Sequence, residues 1–145
     1  MKVIFVCTGN TCRSPMAEGI LKALAPELEV ESRGLFIAPG TSTHPNTRTV
    51  LRQRLNLELN QPARKLSGDD CRDAGLVLTM TRDQADFVRN LTDCPRVYAL
   101  ADYAGDSGDI PDPFGGPLSD YEATFDRLTD LMIRVVKRLR DQEMG

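Results

Sequence analysis

Residues 7–15 read CTGNTCRSP, a thiol at Cys7 and a guanidinium at Arg13 with five small or polar residues between them. This is the inventory of a nucleophilic phosphoryl-transfer site. A loop of the composition Thr8, Gly9, Asn10, Thr11 and Cys12 can curl its backbone N–H groups around one anion. Ser14 followed by Pro15 reads as a helix N-cap and first helical residue, which adds the positive end of a helix dipole. Arg13 supplies a forked, permanent charge suited to phosphoryl oxygens. An unassisted thiol ionises only near pH ~8.5. The same amides, dipole and guanidinium would stabilise a Cys7 thiolate without a histidine. The only histidine, His44, sits beside Pro45 at the start of a helical segment. It reads as a capping or packing residue and not as a partner for Cys7.

The elements that must position this loop follow from hydrophobic pattern. KVIFVC (2–7) is a continuous apolar run with β-branched content, expected of a strand buried on both faces. Met16, Ile20, Leu21 and Leu24 form one stripe of the helix that follows, and Pro26 suits its end. LEVESRGL (28–35) reads as a second strand. Thr43 and Pro45 open a helix facing Val50, Leu51 and Leu55 inward. Ser67 to Asp70 resembles a capping box, and Thr81 with Gln84 another, the latter heading a helix with Phe87, Val88 and Leu91. GLVLTM (75–80) and RVYAL (96–100) are the third and fourth strands. A Gly-, Pro- and Asp-rich loop from Ala101 to Pro117 leads into a long helix carrying Tyr121, Phe125, Leu128, Met132, Val135, Val136 and Leu139. Strands alternating with helices predict a single α/β domain over 1–145, with a four-stranded parallel sheet and helices on both faces. Ligands in such sheets gather at the C-terminal strand ends, where Cys7 stands.

Composition limits the partners. Charged residues make up 27% and hydrophobic ones 41%, and the net charge is −3. That balance argues against a general nucleic-acid binder, and no apolar run is long enough to span a membrane. The first strand begins directly after Met1, with no secretory-signal pattern, so the expected compartment is the cytoplasm. Cys7, Cys12, Cys71 and Cys94 are then packing, redox or catalytic residues more readily than disulfide partners. Their spacing is not that of zinc ligands, and no metal or other cofactor is expected. Cys71 and Cys94 read as structural. Cys12, beside a reactive thiolate, could trap an oxidised Cys7 as a disulfide.

VCTGNTCRSPMAE (6–18) closely resembles the phosphate-binding loop of the low-molecular-weight protein tyrosine phosphatases, and most of all their bacterial protein arginine phosphatase branch. SRG (32–34), ARKL (63–66), LVLTMT (76–81) and DPFGG (112–116) extend the similarity along nearly the whole chain. The resemblance implies a hydrolase working through a phosphocysteine on phosphorylated proteins, releasing inorganic phosphate. It implies Cys7 as nucleophile, Arg13 as phosphoryl clamp, Asn10 as the residue ordering the loop, Ser14 as hydrogen-bond partner of the thiolate, and Asp112 as general acid. From residue types alone, Asp102, Asp106, Asp109 and Asp112 are equal candidates for that acid. Pro111 and Pro113 would hold Asp112 rigidly. A monomer is the expected state.

Two positions bear on substrate. Phosphotyrosine-specific members usually carry further aromatics after the Asp-Pro pair, whereas here Phe114 precedes Gly115 and Gly116. Thr11 occupies a loop position often filled by an aliphatic residue, and its hydroxyl could meet the N–H groups of a phosphoguanidinium. Both features favour phosphoarginine, with strict phosphotyrosine hydrolysis as the alternative. SRG replaces the commoner Ser-Ala-Gly and puts Arg33 near the site region. An arsenate reductase would need a closely spaced downstream cysteine pair, and Cys71 and Cys94 are far apart in sequence. A phosphocysteine carrier should lack a hydrolytic acid such as Asp112.

Overall fold

The computed structural model describes the backbone of residues 1–144 and the side chains through residue 142. Its elements are β1 (Lys2–Cys7), α1 (Arg13–Leu24), β2 (Glu29–Gly34), α2 (Pro45–Leu55), α3 (Gly68–Asp73), β3 (Leu76–Thr79), α4 (Arg82–Leu91), β4 (Val97–Ala99), α5 (Leu100–Tyr103) and α6 (Leu118–Met144). The four strands pair in parallel in the order β2-β1-β3-β4. From β1 the chain crosses one way to β2 and then the other way to β3, so the sheet reverses its winding between β1 and β3. The crevice outside the C-terminal ends of those two strands is where such a sheet accepts ligands.

β1 alternates between two cores, as a central strand buried on both sides must. Val3, Phe5 and Cys7 pack with Met16, Ile20 and Leu21 of α1 and with Leu128, Met132 and Val135 of α6. Ile4 and Val6 pack on the other side with Cys71, Ala85 and Val88. The capping boxes expected at Ser67/Asp70 and Thr81/Gln84 are formed, each with both reciprocal hydrogen bonds. No helix of the described residues is long and apolar enough to cross a membrane.

Several local expectations are corrected. Ser14 is not an N-cap: α1 starts at Arg13 behind Cys12, which makes no side-chain cap bond. The Ser14 hydroxyl is engaged elsewhere, as described below. The capping role expected of His44 is met, by contrast: it is the N-cap of α2, and its Nδ1 accepts from the Asn46 N–H at 3.0 Å. Leu24, on the predicted inward stripe of α1, is 36% exposed. The loop predicted over 101–117 begins with the last three residues of the short helix α5, whose Tyr103 is buried beneath the Arg138 guanidinium, 3.9 Å from the ring centroid.

Cys71 and Cys94, distant in sequence, are paired as a disulfide with Cα atoms 5.0 Å apart. The structural role expected of the two cysteines stands, but they fill it as disulfide partners and not as packing residues. The cause of the pairing is tertiary: α3 and the segment after α4 close over the same face of the sheet. Cys71 packs in the core on one side of the sheet, whereas Cys7 and Cys12 belong to the core on the other side. The pair is therefore placed to staple two elements together and not to relay electrons to Cys7.

Candidate active site

β1 delivers Cys7 to the sheet's switch point, and residues 8–12 turn back over it before α1 begins. The turn needs a left-handed residue, which Asn10 provides at φ 57°. Asn10 is buried, and its side chain ties the loop down in three directions. Its amide donates to Ser14 Oγ at 2.9 Å and to Ser32 Oγ at 3.0 Å, while its Oδ1 accepts from the Arg64 N–H at 2.9 Å. Gln61 continues the network, donating to Ser32 Oγ at 3.1 Å and to the buried Glu18 carboxylate at 2.8 Å. Lys22 neutralises Glu18 at 2.6 Å. A buried carboxylate is tolerated here because it is both paired and hydrogen-bonded.

The chain after β2 wraps the outside of the same loop. The N–H groups of Leu35 and Phe36 both donate to the Thr8 carbonyl at 2.9 Å. Gly34 permits this approach: a Cβ there would lie 2.5 Å from Ile37 Cδ1 and 3.0 Å from both Asn10 Cβ and the Thr8 carbonyl oxygen. On the far side Gln84 of α4 donates to Thr8 Oγ1 at 3.1 Å, while its Oε1 accepts from the N–H groups of Met80 and Thr81. Thus the loop is clamped by β2, the 61–64 segment and α4. Among the described residues, the backbone N–H groups of Gly9, Asn10, Thr11 and Cys12 find no acceptor. Orphan amides on a fixed loop form an anion cradle.

Cys7 Sγ lies 2.9 Å from Ser14 Oγ. Asn10 donates to the serine oxygen, and the one proton of the Ser14 hydroxyl can go to the Arg33 carbonyl at 3.4 Å or to a Cys7 thiolate, which can only accept, at 2.9 Å. The Arg13 guanidinium, buried beside the loop, donates from Nη1 to the Ile110 carbonyl at 2.9 Å. Its Nη2 stands 3.8 Å from Asp112 Oδ2. The remaining sequence candidates for the acid are spoken for: Asp102 pairs with Arg82, Asp106 with Arg127 and Arg134, and Asp109 accepts from the Arg82 N–H. Asp112 alone reaches the cleft, half-exposed, with Oδ1 held by the Phe114 N–H at 3.1 Å. Oδ2 is left as the oxygen free to exchange a proton.

These residues line a cleft of about 470 Å³ with Cys7 and Arg13 at its floor and Thr11, Phe36, His44, Arg48, Asp112 and Phe114 around it. The His44 ring stacks on Tyr121 at 5.0 Å and meets the edge of Phe114 at 5.9 Å. It forms a wall, capping α2 and holding the loop through its N–H to the Thr11 carbonyl at 2.9 Å. Cys12 is buried with Sγ 3.4 Å from the Tyr121 hydroxyl. Burial pushes the Cys12 thiol up from its ordinary pKa, and burial together with Cys12 pushes the Tyr121 phenol higher still. The two therefore meet as neutral thiol and neutral phenol. Arg33 is not at the site. Its carbonyl lies 3.4 Å from Ser14 Oγ, but its guanidinium turns away to Asp70 at 3.1 Å.

Residue-type reasoning missed the Gln84 contact to Thr8, the Tyr121 contact to Cys12, and Gln61. Only Gln84 carried a signal, as half of a capping box next to the third strand.

The sequence pattern of the family described as low molecular weight phosphotyrosine protein phosphatase matches residues 2–144. The low molecular weight protein-tyrosine-phosphatase PtpB of Staphylococcus haemolyticus is 41% identical over 133 residues, covering 91% of this chain and 95% of that one. The protein-arginine-phosphatase of Bacillus subtilis is 36% identical over 147 residues, covering 97% of each. Among solved structures, the YwlE arginine phosphatase, a C7S mutant with phosphorylated active site serine, superposes with a TM-score of 0.91 at 35% identity, covering 97% of this chain and 96% of that one.

Proposed function

This chain belongs to the low molecular weight phosphotyrosine protein phosphatase family, and from that premise we propose that it hydrolyses phosphorylated protein side chains through a phosphocysteine at Cys7, with phosphoarginine as preferred substrate. The observation that carries the mechanism is the cradle of unpartnered amides over a buried thiol and a buried guanidinium. A phosphoryl group seated there has its equatorial oxygens against the amides and Arg13, where charge is spread in the transition state. The Cys7 sulfur attacks phosphorus in line, and the bond to the departing oxygen or nitrogen breaks as that atom takes the proton of Asp112. Water then attacks the phosphocysteine and gives its proton to the Asp112 carboxylate. The phosphorus–sulfur bond breaks, inorganic phosphate leaves, and the Ser14 hydroxyl supports the returning thiolate at 2.9 Å.

Substrate preference rests on the walls. Thr11 faces the cleft, and among the described residues its Oγ1 has only the weak partner Cys12 Sγ at 3.6 Å. That hydroxyl is available to a guanidinium N–H. Phe114 gives one aromatic wall, 67% exposed. The next residue, Gly115, has φ +86°, a conformation that a second aromatic side chain would occupy only with strain. The open side suits a planar, hydrogen-bonding guanidinium better than a phenyl ring clasped on both faces. The PtpB relative, named a tyrosine phosphatase, supports the second reading, strict phosphotyrosine hydrolysis. Turnover of matched phosphoarginine and phosphotyrosine peptides separates the two. Thr11→Ile is expected to lower the phosphoarginine-to-phosphotyrosine ratio of kcat/KM about tenfold, the scale of one lost hydrogen bond to a charged group. An unchanged ratio would remove Thr11 as selector.

Cys12 is proposed as a protective thiol. When a peroxide converts Cys7 to its sulfenic acid, attack by the Cys12 sulfur forms a disulfide and expels water, sparing Cys7 from irreversible oxidation. Before oxidation, Cys12 is held neutral by burial beside Tyr121. Accordingly, iodoacetamide at pH ~8 should label Cys7 and leave Cys12 unmodified. Mass spectrometry finding Cys12 labelled at a similar rate would contradict this assignment.

A further inference from the structure

One cation in the cleft has no part in the chemistry at Cys7. Arg48 lines the same cleft as Cys7 and Asp112 and is exposed. Every other arginine except Arg64 meets a carboxylate or a backbone carbonyl. Arg64 lines a separate cavity with Glu18 and Lys22. Among the described residues the Arg48 guanidinium has no ion-pair, hydrogen-bond or stacking partner, and the first turn of α2 contains no acid to supply one. Among the described residues Asp112 is the sole carboxylate lining the cleft, and it faces Arg13. In a chain of net charge −3, the cleft thus carries two cations against one carboxylate, and only one cation is needed at phosphorus.

The position of Arg48 sets its reach. Its N–H donates to the His44 carbonyl at 3.0 Å, so the two residues stand one helical turn apart on one face of α2. His44 abuts the loop itself. Arg48 is a turn, about 5 Å, further along. That offset removes it from the phosphoryl group and places it beside the chain on which that group arrives. Ser42 and Asn60, also exposed in this cleft, offer hydrogen bonds beside it.

Resting on the phosphatase reading above, we propose that Arg48 is a specificity-determining residue that receives an anionic side chain near the phosphorylated residue of the substrate protein. A carboxylate and a second phosphomonoester share the required chemistry. An exposed pair of this kind is worth little in stability but discriminates between partners and is screened by salt.

The test uses one phosphopeptide sequence with alanine, glutamate or phosphoserine placed at successive positions on either side of the phosphorylated residue, and a small aryl phosphate that has no flanking chain. Wild-type enzyme should prefer the best glutamate peptide over the alanine peptide by about threefold to fivefold in kcat/KM, mostly through KM. Arg48→Ala should abolish that preference, and Arg48→Glu should reverse it. Aryl phosphate turnover should be the same in all three proteins. A larger gain from phosphoserine than from glutamate would support the proposal and identify phosphate as the preferred anion. A wild-type enzyme indifferent to flanking charge, or an Arg48→Ala variant that keeps the preference, would overturn it. Failure of the wild type on every phosphopeptide would instead strike the phosphatase reading, and this proposal with it.

Discussion

Replacement of Cys7 by serine is expected to lower turnover by about four orders of magnitude or more while phosphate binding persists. The size follows from the loss of the only group that forms the covalent intermediate, and removing such a nucleophile costs rate on this scale. A serine at this position would sit on the same cradle, but an alcohol holds its proton far more tightly than a thiol. Among the described residues no base is placed to remove it: His44 offers Nδ1 to the Asn46 N–H and serves as a wall, and Asp112 must itself carry a proton to act as the acid of this step. Any phosphoryl group that did transfer would be bound through an alkoxide, a much poorer leaving group than a thiolate, and would remain on the enzyme. The amides of residues 9–12 and the Arg13 fork are untouched by the change, so calorimetric titration with inorganic phosphate should still show binding. A variant within tenfold of wild-type turnover would dismiss Cys7 as nucleophile.

How much of this was legible beforehand divides along sequence separation. The strand ending at Cys7, the loop, and the capping boxes at Ser67/Asp70 and Thr81/Gln84 depend on residues within a few positions of one another, and local pattern reports such features well. Ser14 shows where local pattern misleads. A serine before a proline is a good N-cap, yet here the hydroxyl is drawn to Cys7 Sγ and the helix starts without a side-chain cap. A hydroxyl could accept at a cap and donate to sulfur at once, and it is the start of α1 at Arg13, one residue earlier, that puts Ser14 inside the helix. The contacts that hold the site come from farther away. Gln84 reaches Thr8 across 76 residues, Tyr121 reaches Cys12 across 109, and Gln61 joins Ser32 across 29. Nothing in residue spacing announces these. The Cys71–Cys94 pairing was hidden in the same way, since it needs α3 and the segment after α4 to cover one face of the sheet. The choice of Asp112 among four aspartates of one loop was equally inaccessible without the family resemblance. The fold supports Asp112: the other three are held outside the cleft by Arg82, Arg127 and Arg134, whereas Asp112 lines it beside Arg13.

That division makes Asp112 the residue whose substitution speaks most directly to mechanism. Asp112→Asn keeps the shape of the side chain, including an oxygen able to accept the Phe114 N–H now bound to Oδ1 at 3.1 Å. Pro111 and Pro113 continue to fix the backbone on both sides, so fold and phosphate affinity should be unchanged. What is lost is the exchangeable proton. Formation of the phosphocysteine from a poor leaving group should slow by about 10²–10⁴-fold, the usual contribution of a positioned general acid. A leaving group acidic enough to depart without a proton, such as a nitrophenolate, should feel this first loss far less. Hydrolysis of the phosphocysteine also needs the carboxylate as base. With such a substrate the variant should therefore show a burst of phenolate followed by slow turnover, and intact-mass spectrometry should catch the phosphorylated enzyme. The limb of the pH–rate profile that reports loss of the acid's proton should flatten for the poor leaving group. Asp106→Asn is the control. Asp106 is tied to Arg127 and Arg134, each at 3.1 Å, and its loss should leave both steps intact. Equal slowing by the two substitutions would mean that the loop as a whole, and not one proton on Oδ2, governs catalysis. Slowing confined to Asp112, with accumulated phosphoenzyme, would require that this single carboxyl act once as acid and once as base.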